Sequence, residues 1–341
     1  MIALSAADAI SPALRRTREF LFRPFRLGTY LKLCLVAMIT EGLGGNFHSS
    51  GLGGHGEHHG HYSGAPFTMP RGEIVGLVAV AIAVAILLGL VVFYLVTRLR
   101  FAYFHCLIHG TKEIAPGWRQ YGAQAARFFW LNVMVAIGFV LAAAVVALPF
   151  VAGFRRVIPE AQAGGHVDVG SILALVLPLI PLFLLFIVAA IAADVVLRDL
   201  ILPHYALENA TAGEAWRAVW ARFRAEKGAF ILYAVVRVIL PVAATIAIGA
   251  VLLLPVIVTA GTVAVVEIAI HAAFAGATGG AAAMAIFFEV LIGLVAFCLA
   301  ALVGIAVSGP VSTAIREYAL LFYGGRYPRL GDVLSAGTGA A

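Results

Sequence analysis

The chain has 341 residues, of which 62% are hydrophobic and only 12% charged, with a formal net charge of +6. A soluble domain carries about 25% charged residues, and a mean hydropathy of +1.02 leaves more apolar surface than a globule in water can hide, so a soluble enzyme or binding domain is excluded. Cys34, Cys106 and Cys298 lie too far apart for a disulfide framework.

Residues 1–26 form a basic amphipathic segment with Arg15, Arg16, Arg18, Arg23 and Arg26. The charges follow a mildly apolar start, the reverse of a cleavable signal. A first, weak span is expected near 27–43, with Lys32 snorkelling to the interface and Glu41 near its end. Residues 44–73 then form an outer loop. Its core, "NFHSSGLGGHGEHHGHYSGAP", holds five of the chain's ten histidines: His48, His55, His58, His59 and His61. Imidazoles bind zinc, nickel and copper well, so these five are candidate ligands of a weak, labile metal site. The competing reading is a soft glycine-rich loop, because nothing in the stretch fixes a geometry and ordering it costs entropy.

A clear span follows at 74–97, then an amphipathic connection at 98–127. There "HCLIH" sets His105, Cys106 and His109 on neighbouring helical positions, either a partial metal site or ordinary interfacial residues. Spans follow at 128–153 and 171–195. Asp194 ends the latter, four residues from Arg198, a spacing that permits a local ion pair. A second amphipathic connection covers 196–228. "TAGEAWRAVWARFR" opens it with a capping-box pattern, Thr211 to Glu214. Trp216, Val219, Trp220 and Phe223 recur there at helical spacing, as a docking surface or an interfacial anchor.

The span at 229–260 carries Arg237 about two turns in, expected to snorkel rather than act at the membrane centre. Pro241 and Pro255 within it, like Pro178 and Pro181 earlier, are read as static kinks. Glu267 and His271 in "EIAIH" sit on an outer connection, and Glu289 enters the last span, 285–307, near the outer face. Residues 308–341 form a tail. Arg237, Asp194 and Glu289 are thus the candidate polar residues at or in the membrane.

Charge sets the orientation. Nineteen Lys and Arg fall in the termini and in alternate connections, against three, Arg71, Arg155 and Arg156, in the others. That bias puts both termini in the cytoplasm, and the net charge then faces anionic lipid headgroups rather than nucleic acid. Leu99-Arg100 and Trp118-Arg119 recur 98 residues later as Leu197-Arg198 and Trp216-Arg217, which suggests a duplicated span–loop–span unit.

"FLFRPFRLGTYLKL", "EGLGGNF" and "DLILPHYALENATAGEAWRAVWARFRAEKGAFILY" resemble a family of uncharacterised bacterial six-span membrane proteins. A looser likeness extends to YciC-like proteins and to the membrane domain of some glycerophosphodiester phosphodiesterases. The resemblance implies a six-helix membrane domain and supplies no activity. The expectation is one all-α domain over 1–341, a six-span bundle with amphipathic cytoplasmic segments in the bacterial inner membrane. The usual nucleophile, metalloprotease and phosphate-loop signatures are missing from the sequence. It reads as a non-enzymatic protein without a cofactor, other than weak zinc, nickel or copper on the histidine loop. Its role is to scaffold a partner, assist one, or organise lipid. The alternative is a small transporter or channel linked to divalent metal through that loop. Expected partners are membrane lipids, a protein partner or a second copy, and no nucleic acid.

Overall fold

A chain in lipid must satisfy its backbone polar groups internally, and the helix does so within one segment. Every element among the described residues is helical in the computed structural model, which describes residues 3–42, 71–162, 170, 173, 176–275 and 279–339. In chain order these are α1 (Ile10–Phe22), α2 (Leu27–Gly42), α3 (Arg71–His109), α4 (Ile114–Gln120) and α5 (Gly122–Gln162). They continue with α6 (Leu179–Val195), a π turn (Val196–Ile201), α7 (Leu202–Glu208), α8 (Ala212–Ala225), α9 (Lys227–Ala273), α10 (Gly280–Gly324) and α11 (Pro328–Gly339).

Among the described residues, five helices are long and apolar enough to cross a membrane: α3, α5, α6 with its continuation to Glu208, α9 and α10. The expected sixth, α2, is not among them. Its described residues, Leu27–Gly42, are set by their contacts with other helices rather than by lipid. Its burial is against protein. The Tyr30 hydroxyl donates to the Ala306 carbonyl of α10 at 2.7 Å. Gly309 of α10 lies so close to α2 that a Cβ there would come within 2.6 Å of the Cys34 Cα. Leu33, Cys34, Ala37 and Thr40 are buried. Apolar sequence alone does not distinguish burial in lipid from burial in protein, and here protein wins.

The chain divides into two compact units. The first comprises residues 1–42, 106–112 and 222–341; the second comprises 43–105 and 113–221. In the first, α10 is the hub, packed by α1, α2, α9 and α11. Its C-terminal half carries the core: Tyr318, Phe322 and Tyr323 are fully buried, and the Tyr233 ring of α9 stacks on Phe322 at 4.3 Å. Its N-terminal half, from Met284 to Val303, is largely bare apolar surface. The second unit repeats the pattern. Leu77 to Val92 of α3 are exposed, whereas Phe101 to Phe104 are buried. On α5, Phe128 is buried against Tyr205 of α7, at 5.4 Å between rings, whereas Met134 to Leu148 are largely bare. Lipid serves as the solvent for the bare lengths, and the protein builds its own core where the helices carry polar residues.

The two amphipathic connections share an order of elements. α3 ends at Gly110 (φ 67°) and α7 at Asn209 (φ 52°), both in the left-handed region, a common way to stop a helix. A short helix follows each, α4 or α8, and then a long one. Arg100 and Arg198, matched in the sequence repeat, are both buried. Their lengths differ, since α4 has 7 residues and α8 has 14.

α8 begins as its sequence predicts. The Thr211 amide and hydroxyl each donate to Glu214 Oε2 at 2.8 Å. These bonds favour the ionised carboxylate and hold Glu214 below its ordinary value. A lowered folded-state value means the cap is complete above the unfolded Glu range and is lost as pH falls through the lowered value. Protection of the first amides of α8, measured as exchange relative to the intrinsic rate at each pH, should therefore fall in acid, and Glu214→Gln should flatten that pH dependence. Protection that stays unchanged for the wild type down to about pH 3, below the ordinary carboxylate range, would contradict the assignment.

Candidate functional site

The first unit gathers a seam of charge at the packed end of α10. Arg316 and Glu317 are consecutive, so they leave the helix about 100° apart and meet different partners. Glu317 is 1% exposed, and its Oε2 lies 3.0 Å from Arg16 Nε on α1. The same guanidinium donates to the Leu107 carbonyl at 2.8 Å and to the Leu334 carbonyl of α11 at 3.5 Å. Leu107 lies in the last turn of α3, whose carbonyls have no intrahelical partner. Arg16 thus ties four elements through one fork, a geometry that lysine could not reproduce.

Arg316 faces α2, its Nε 3.9 Å from Glu41 Oε1. Arg237 of α9 donates to the other oxygen, Glu41 Oε2, at 3.2 Å. Arg237 was expected to snorkel outward; it is 7% exposed and turned into the protein instead. The carboxylate 196 residues away in sequence is the reason: a paired guanidinium is satisfied inside. Further along, Arg326 bonds to Glu226 at 2.8 Å and to the Leu4 carbonyl at 3.0 Å. Arg222 lies over the Tyr327 ring at 5.1 Å. Many arginines read as a collar for headgroups are therefore structural.

Others remain outside. On α1, Ala13, Thr17, Phe20 and Leu21 face inward at helical spacing, leaving Leu14, Arg15, Arg18 and Phe22 exposed. Arg23, Phe25, Arg26 and Leu27 continue this exposed surface. The Phe25 ring sits 6.0 Å from that of Phe22 and 5.6 Å from that of Tyr30. Cations interleaved with aromatic and aliphatic side chains are the composition of an interfacial membrane surface.

The remaining sequence candidates are spread through the molecule. Asp194 pairs with Arg198, as the spacing suggested; Arg198 lies on the π turn beside buried Asp199. Glu289 is paired with His271 at 3.4 Å, joining α9 to α10, a partner that the local Glu267–His271 spacing did not indicate. In the second unit the His105 ring packs 5.9 Å from that of Tyr121. Cys106 is buried and His109 exposed. Among the described residues no group of three or more His, Cys, Asp or Glu is placed to hold a metal. His48, His55, His58, His59 and His61 lie outside the described residues. Thr245 and Thr259 donate to the carbonyls of Pro241 and Pro255, each at 2.8 Å. In the second unit Arg98 covers the Trp118 ring at 4.6 Å, while Trp216 and Trp220 stack on each other at 6.3 Å and are 51% and 41% exposed.

The model of a family described as a family of unknown function (DUF7544) matches residues 4–333. The chain belongs to this family. The match runs from before α1 into α11, so the charged seam, the exposed basic face and all five long helices fall within the family's extent. The looser likeness to YciC-like proteins and to the phosphodiesterase membrane domain finds no support. No curated protein and no solved structure matches the chain.

Sequence reasoning missed the Arg16–Glu317 pair and the partner of Arg237. The signal for the second was present: Glu41 is an acid in an apolar helix and Arg237 a base inside another, and each is costly unless paired.

Proposed function

We propose that this member of the DUF7544 family is a non-enzymatic protein of the bacterial inner membrane that scaffolds and organises anionic lipid at the cytoplasmic face. One observation carries the reading: the exposed face of α1 and its continuation, where Arg15, Arg18, Arg23 and Arg26 alternate with Leu14, Phe22, Phe25 and Leu27. The exposed Trp216–Trp220 stack on α8, flanked by Arg217 and Arg224, supports it with the residue types of a membrane interface. The placement of the buried charges weighs against the transporter alternative. In the first unit they sit at the packed end of α10, beyond its bare apolar length.

Both termini share one face in this reading. The Arg326 bond to the Leu4 carbonyl and the Arg16 bond to the Leu334 carbonyl keep the two ends of the chain together in the first unit. Five crossings alone would part them, so the reading has α2 cross as well, inside the bundle and packed on α10 rather than facing lipid. Cysteines at Ala7 and Ala336, both exposed, should then be shielded from an impermeant thiol reagent in intact spheroplasts, in a background without the native cysteines.

The functional test is compositional. Protein extracted in polymer-bounded discs should carry a larger anionic lipid share than the bulk membrane. Changing Arg15, Arg18, Arg23 and Arg26 to Gln should return that share to the bulk value, since each basic residue near an anionic surface contributes about 1 kcal/mol. Wild-type discs with bulk composition would remove the lipid reading. Saturable divalent-ion flux through reconstituted vesicles would favour the transporter.

A further inference from the structure

Between α1, α9 and α10 of the first unit lies an apolar cavity of about 280 Å³. Leu14 and Phe22 wall it on the α1 side, Leu240 and Ala244 on α9, and Pro310 and Ile315 on α10. Three of its lining residues carry polar groups: Thr17 and Arg18 from consecutive α1 positions, and Tyr318 from α10. Thr17 is 5% exposed, and its hydroxyl has no hydrogen-bond partner. A buried hydroxyl left unpaired is unfavourable by about 1–3 kcal/mol, so its place in a cavity wall points to a missing acceptor. Arg18 lies beside it and is exposed.

We infer that this cavity is a binding site for one anionic phospholipid. An acyl chain fills the space between Leu14, Leu240, Ala244 and Ile315, the Thr17 hydroxyl donates to an ester carbonyl, and the phosphate rests on Arg18. The inference rests on the lipid reading above and narrows it from a surface to one bound molecule. Charge complementarity selects the occupant. Arg18 belongs to the basic run Arg15, Arg18, Arg23 and Arg26, which attracts an anionic headgroup and disfavours the same basic face of a second copy. Geometry agrees. The cavity is bounded by α9 and α10, both long and apolar enough to cross a membrane. A lipid can therefore enter sideways from the bilayer with its chain already in hydrocarbon. Amphiphiles favour such sites, apolar with a small number of placed polar groups.

The test uses full-length protein in detergent and native mass spectrometry, with phosphatidylglycerol and phosphatidylcholine of identical chains as probes. The wild type should retain one phosphatidylglycerol per chain in preference to phosphatidylcholine. Arg18→Gln should reduce that preference about fivefold, the effect of one basic residue at an anionic surface. Thr17→Val should weaken both lipids alike. Ala244→Phe should abolish the single retained lipid while leaving the lipid share of the discs unchanged. That contrast separates failure of the site from failure of the wider lipid reading. As a readout independent of variants, phosphatidylglycerol carrying a photoreactive acyl chain should label peptides from α1 and from 310–318. Equal retention of both lipids by the wild type, retention unaffected by Ala244→Phe, or labelling confined to the bare lengths 249–268 and 284–303 would overturn the proposal. So would a change of oligomeric mass with Ala244→Phe, which would give the cavity to a second copy.

Discussion

Replacing Glu41 with alanine is expected to destabilise the protein by about 3–5 kcal/mol, the loss typical when one partner of a buried ion pair is removed. Arg237 is 7% exposed and Arg316 2% exposed, and both address this carboxylate. Without it, two buried guanidiniums lose the anion that offsets their desolvation. The size of the loss should depend on charge more than on packing. Glu41→Gln, which keeps an acceptor and the volume, should lose less than Glu41→Ala, and a double-mutant cycle with Arg237→Met should give a coupling of roughly 0.5–3 kcal/mol. The combined change Glu41→Leu, Arg237→Met and Arg316→Leu should be less harmful than Glu41→Ala alone, because a complete apolar replacement leaves no uncompensated charge. Reversible unfolding in mixed micelles reads all of these. Additive single and double variants would show that the cluster is not coupled.

Arg16→Ala should be comparably damaging, again about 3–5 kcal/mol, but for a different mixture of reasons. It leaves Glu317, 1% exposed, without its nearest cation, and it releases the Leu107 and Leu334 carbonyls. Arg16→Lys should recover only part of the loss, since one ammonium does not reproduce the directions of Nε and both terminal nitrogens. Because Arg16 joins α1 to α10, α11 and the last turn of α3, the loss should be accompanied by faster hydrogen exchange in α1 and α11. Exchange unchanged in both helices would show that these contacts do not hold the terminal segments.

Fold class was legible from composition, because 12% charge and long apolar runs admit few structures besides lipid-embedded helices. The start of α8 was legible for a local reason: Thr211 and Glu214 are three residues apart, so the cap depends on nothing distant. The Asp194–Arg198 pair belongs with it, four residues apart on one helix.

Where partners are far apart in the chain, only the tertiary structure decided. Trp216, Val219, Trp220 and Phe223 share helical spacing, but Ala215 and Val219 are buried while the two tryptophans face outward. Periodicity defines the faces of a helix and not which face finds protein, and both faces of α8 offered apolar side chains. The count of basic residues gave a direction across the membrane, yet it treated Arg16 and Arg18 alike. Two residues of rotation on α1 put one against Glu317 and left the other exposed. α2 reads as a weak span because hydropathy scores transfer out of water without saying into what. Its approach to α10 at Gly309, and the meeting of Glu41 with Arg237 and Arg316, place it in a protein core. Sequence thus determined the solvent the chain needs and the local ends of its helices. The pairing of its buried charges awaited the fold, because each charge is tolerable only beside a partner that the chain brings from elsewhere.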